Sequence, residues 1–193
     1  AIGKYRSIWA LGLRNPFTFA VQPGNATAGA PFGTQPVIKT RDPFGNDSTS
    51  GLAGSLLVNV NLTGGAGPLQ GVTALDVGTG TGNGSASFSD LRIVTIGTNK
   101  LLTASASGLG STAGSTFTVS AGAATSLAIQ AQPPASATAG VIFPSATVVR
   151  LLDAFGNLVT TDSSTVVTGS RSAGTAALGG TTSVTAVNGL ATF

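Results

Sequence analysis

Arg41–Asp47 reads RDPFGND, and 111 residues later Leu152–Leu158 reads LDAFGNL. Each stretch has the chemistry of a tight turn. Asp42 and Asp153 offer a carboxylate to backbone N–H groups two residues on, and Pro43 presets φ in the first copy. Gly45 with Asn46, and Gly156 with Asn157, tolerate positive φ. Phe44 and Phe155 are expected to fold back as core plugs. Strand-like runs lead into both turns, PVIKTRD and ATVVRLLD. After the first turn SLLVNVNL sets Leu56, Val58, Val60 and Leu62 against Leu57, Asn59 and Asn61, the alternation of a half-buried strand. NATAG at Asn25 and SATAG at Ser136 repeat at the same spacing of 111, so a whole module is duplicated. Later runs, SASFSDLRI, KLLTASASG and STFTVS, are bounded by Gly, Asn and Ser at the spacing of an all-β sandwich.

Composition narrows the function more than any motif does. The 193 residues include 28 Gly, 41% are hydrophobic and 8% are charged, which suits a folded, strand-rich chain. There is no Cys, His or Met, and all six acids are Asp. Thiol and imidazole metal sites, the Ser-His-Asp triad and glutamate acid–base chemistry are thereby excluded, and the expectation is a protein that is not an enzyme and needs no cofactor. Nine scattered Lys and Arg give a net charge of +3 without a basic cluster, which argues against nucleic acid. No apolar run is long enough to span a bilayer, and the chain starts at Ala1 with neither Met nor a leader, as a processed or partial chain would. Ser, Thr, Gly and Ala without thiols point to an extracellular or cell-surface setting.

VIKTRDPFGND, VVRLLDAFGNLVTTDSS and VNGLATF resemble the bacterial immunoglobulin-like repeats of invasin-type adhesins. The resemblance implies tandem Greek-key sandwiches of seven strands and supplies no catalytic residue. It divides the chain into an extension (residues 1–16), a complete sandwich (17–119), a linker (120–126) and an incomplete sandwich (127–193). The second repeat stops at NGLATF, where the first, after NGSASF, still has two strands to come. Their absence is expected to leave Val149, Leu151, Phe155 and Phe193 as an open acceptor groove. The functional expectation is a non-catalytic structural module of a fibre or surface protein. Its partners would be other copies of itself or neighbouring repeats, joined head to tail by strand donation.

The donor would be KYRSIWALGLRN, whose Tyr5, Trp9, Leu11 and Leu13 share one strand face. The overlapping IWALGLRNPFTFAVQPG, Ile8–Gly24, is similar to a stretch of PQQ-dependent glucose/sorbosone dehydrogenases, in which Arg14 would lie near the active site. No propeller follows it here, so the implied alternative is the tail of a secreted quinoprotein. A further alternative is an adhesin or carbohydrate-binding module, with Phe32 and Phe44 as its aromatic candidates. Asp42, Asn46 and Asp47 have the oxygens of a calcium loop, but Leu158 replaces Asp47 in the second copy and the turn already accounts for the shared residues. GTGTGNG at Gly78 lacks the lysine and helix of a phosphate loop. Asn25, Asn46, Asn61 and Asn83 each open a glycosylation sequon.

Overall fold

The computed structural model describes residues 17–41, 45–47, 54–78 and 84–193. Among them the chain is all-β, without a helix, and it divides into two compact units, Ala1–Ser120 and Ala121–Phe193.

Unit 1 contains β1 (Phe17–Val21), β2 (Ala26–Thr27), β3 (Val37–Thr40), β4 (Leu57–Gly64), β5 (Ala74–Asp76), β6 (Ser85–Ser87), β7 (Gly97–Ala106), β8 (Thr112–Ala113) and β9 (Phe117–Ser120). One sheet runs β1-β3-β6 and the other β2-β9-β7-β4-β5, with β8 added against β7. Only β2 and β9 pair in parallel; the other named pairs are antiparallel. The alternation in SLLVNVNL is realised on β4: Val58 and Val60 are sealed in the core and Leu57, Asn59 and Asn61 face water. Phe17, Phe19, Ile38 and Phe88 from the first sheet and its flank meet Val58, Val60, Leu102, Phe117 and Val119 from the second in one core.

Unit 2 contains β10 (Ser126–Ala131), β11 (Val148–Leu152), β12 (Val166–Thr168), β13 (Ser183–Thr185) and β14 (Leu190–Thr192). Its sheets are β10-β11-β14 and β12-β13. Leu151, Val167, Ala186 and Ala191 form its buried core, with Val149, Val184 and Phe193 packed partly against it.

The two units repeat one plan down to the register. Ile38 pairs with Ala86 as Val149 pairs with Ala191, and Val37 pairs with Ser87 as Val148 pairs with Thr192. Phe19 faces Ile38 as Ile129 faces Val149, and both strands then break register at the same point, Phe19/Val21 and Ile129/Ala131. In the second sheet the β4–β5 pair is reproduced by β12–β13: Val58 opposes Leu75 and Val167 opposes Val184, while the Val77 N–H to Leu56 bond recurs as Ala186 N–H to Thr165. Phe88 donates to the Pro36 carbonyl as Phe193 donates to that of Thr147. Even the irregular points agree, since Gly65 and Gly71 take positive φ and so do their counterparts Gly174 and Gly180.

Candidate functional site

The duplicated turn is described in full only in unit 2. Arg41 and Asp47 form an isolated bridge that Leu152 and Leu158 repeat, and Gly45 and Gly156 have φ of 88° and 79°. Asp42, Pro43 and Phe44 lie outside the described residues. In unit 2 the buried Asp153 carboxylate organises everything around it. Its Oδ1 accepts the N–H groups of Phe155 and Asn157, both at 2.9 Å, and the Asn157 Nδ2 at 3.1 Å. Its Oδ2 accepts Asn157 Nδ2 at 2.9 Å and the Gly122 N–H at 3.2 Å. Burial pushes this carboxyl up, but the bonds from Asn157, Phe155 and Gly122 outweigh it and hold it below its usual 3.8. The carboxylate's lone pairs are directed into the turn, which makes Asp153 a structural group.

That network also corrects the reading of Phe155 as a core plug. Its ring is about half exposed, because the turn is closed by the carboxylate and does not require the ring. In unit 1, Asp47 faces Arg41 Nε at 3.1 Å and Lys39 Nζ at 3.9 Å, so two cations share the carboxylate that a calcium loop would use. No group of three or more acidic, His or Cys residues that could hold a metal occurs among the described residues.

The expected acceptor groove is corrected as well. Leu151 is fully buried, and Val149 and Phe193 are half-buried, because even five strands wrap a small core around Leu151; of the four expected groove residues Phe155 alone is exposed. The exposure falls on β10 and the segment before β11. Phe17 is 2% and Phe19 7% exposed, whereas their counterparts Leu127 and Ile129 are 57% and 53% exposed. Phe32, packed at 5.0 Å on the Phe117 ring, is 4% exposed; its counterpart Phe143 is 44% exposed. Phe32 is therefore a core residue and no sugar platform.

The remaining candidates are placed as follows. Asn46 and Asn61 are exposed; Asn25 is exposed too, with its Oδ1 accepting the Thr118 N–H at 2.8 Å. Asn83 and the donor residues Tyr5, Trp9, Leu11 and Leu13 lie outside the described residues, as does Arg14.

Besides Asp76, whose Oδ1 accepts the Leu56 and Gly78 N–H groups, both at 2.8 Å, two further charged residues escaped the sequence reading. Asp162 accepts Ser164 and Thr165 N–H groups and the Thr165 hydroxyl at 2.6 Å, and that hydroxyl, with the two amides, lowers its pKa to about 2. It caps the turn that leads into β12. Lys100 is the second: it is fully buried, and its Nζ donates to the Ala66 carbonyl. The alternation Lys100, Leu102, Ala104, Ala106 already placed it on the inward face of β7, but its charge masked that signal. Burial pulls its pKa below the usual 10.5, so folding disfavours the charged form. Unit 1 is consequently expected to gain stability as the pH rises from the lowered value towards 10.5. Urea midpoints at pH 7 and pH 10 check this, and Lys100→Met should abolish the rise.

Comparison with known protein families, with curated proteins and with solved structures finds no match.

Proposed function

We propose that the chain is a non-catalytic structural module of an extracellular fibre or cell-surface protein, built from immunoglobulin-like repeats. The observation that carries this reading is the shared register of the two units. What the duplication preserves is strand pairing, bulges and turn glycines, the parts that make a scaffold. The division into β1-β3-β6 and β2-β9-β7-β4-β5 supports it, since immunoglobulin-type sandwiches split their strands between two sheets in a similar way. The described ionisable groups with shifted pKa values serve the same end: Asp76 and Asp153 anchor hairpin and turn backbones, Asp162 caps a strand entry, and Lys100 lies sealed beneath a loop. A chain without Cys, Met or Glu, carrying few charges, suits an oxidising and protease-rich exterior.

An antibody raised against residues 17–120 is expected to label intact cells of the source organism without permeabilisation. Labelling that requires permeabilised cells would overturn the surface assignment.

A further inference from the structure

We propose that the exposed apolar face of unit 2 is a docking surface for a β-segment built like Ser89–Ser120 of unit 1, which carries β7, β8 and β9. This goes beyond the structural role above and holds wherever the protein works. The occupant is identified by the duplicate unit. Strands β1, β3, β4, β5 and β6 of unit 1 have counterparts in unit 2 with the same pairing, and Phe17, Phe19 and Phe32, which share a core with Leu91, Ile93, Leu102, Phe117 and Val119, are matched by the exposed Leu127, Ile129 and Phe143.

Three contacts define the fit. In unit 1 the Phe32 ring rests on Phe117 of β9, while Phe143 is uncovered. Phe19 lies at the position of Gly114, where a Cβ would stand 3.4 Å from its ring, while its counterpart Ile129 faces water. β7 pairs with β4 through Val58–Ala106 and Val60–Ala104, while β12, the counterpart of β4, pairs with β13 alone. The segment before β11 agrees. The Phe32 and Gly29 N–H groups of unit 1 donate to the Leu91 and Ile93 carbonyls, and in unit 2 the matching stretch holds Ile142, the most exposed large apolar side chain described.

Polar receivers persist too. Gln22 Oε1 accepts the Ser115 N–H at 2.8 Å and Asn25 accepts that of Thr118, and unit 2 presents Gln132 and Ser136, both exposed, at these places. The occupant therefore has small or apolar residues inward at alternate positions, as in Leu102, Ala104, Ala106, Phe117 and Val119, and uncharged residues outward. Pairing along an open edge combined with pockets for alternate side chains is the recognition mode of β-augmentation.

The test adds a synthetic peptide of sequence Ser89–Ser120 to the full chain and, in parallel, appends the same sequence after Phe193, each against a scrambled control. Amide exchange in Val148–Leu152 is expected to slow at least about a hundredfold in one or both arms, since covering two large apolar side chains is worth that factor. Ile129→Asp with Phe143→Asp, both at exposed positions, should leave the free chain folded and remove the protection. Unchanged exchange in both arms would overturn the proposal. So would equal protection of the untreated chain on raising its concentration, because the occupant would then be a second copy.

Discussion

Leu151→Ala is expected to unfold Ala121–Phe193 while Ala1–Ser120 stays folded. Leu151 is the one large side chain sealed in a buried core of four residues, alongside Val167, Ala186 and Ala191. Truncating a buried leucine costs about 2–5 kcal/mol, which is comparable with the whole stability of a small, partly open unit. The same loss in unit 1, made by Leu102→Ala, is absorbed by a core of seventeen buried residues among those described, and should lower its stability without abolishing folding. The two variants thus separate the units. Urea unfolding followed by residue-resolved NMR should show two transitions in the parent chain, the weaker belonging to unit 2. Leu151→Ala removes that transition, and Leu102→Ala shifts only the stronger one. A single transition in which both units unfold together would contradict this division.

Asp153→Ala is expected to cost unit 2 about 2–4 kcal/mol, because it leaves the Phe155, Asn157 and Gly122 N–H groups at a buried position without their acceptor. Asp153→Asn should cost less, since one amide oxygen remains to accept. The pH dependence follows from the lowered carboxyl pKa. A depressed folded value stabilises the unit at pH above the unfolded value of 3.8, and the contribution is lost as the pH falls through the lower folded value. Asp162, lowered to about 2, acts in the same direction and in the same acid range. Unit 2 should therefore melt progressively in acid, and Asp153→Ala should flatten part of that dependence in thermal scans between pH 2 and pH 5. A parent chain with a flat profile would show that these hydrogen bonds do not hold the turn.

Much of the architecture was legible in the residues, for reasons that the structure makes concrete. The alternation of Leu56, Val58, Val60 and Leu62 specified a strand and its inward face because side chains of a strand alternate between faces. The duplicated Asp, Gly and Asn marked a turn because few residues accept its backbone geometry. The single spacing of 111 was legible only in part: insertions in the loops shift it, so that Phe19 matches Ile129, Ile38 matches Val149, Val58 matches Val167 and Phe88 matches Phe193. Strands of two or three residues such as β2, β5, β8 and β13 carry no period long enough to detect. The exposed face was expected around Leu151 and lies instead along Leu127, Ile129 and Phe143. A linear pattern tells which residues share a face, but not which neighbours cover it. Lys100 shows the converse, since its pattern said buried while its charge argued against it.

The two units share one strand register, one covered and the other open. Cross-strand nuclear Overhauser effects in the uniformly labelled full chain test it most directly. The predicted result is matching contacts between Ile38 and Ala86 and between Val149 and Ala191, together with Phe19 to Ile38 and Ile129 to Val149. A β11–β14 register shifted by one residue, or no cross-strand contacts in Ala121–Phe193, would contradict it.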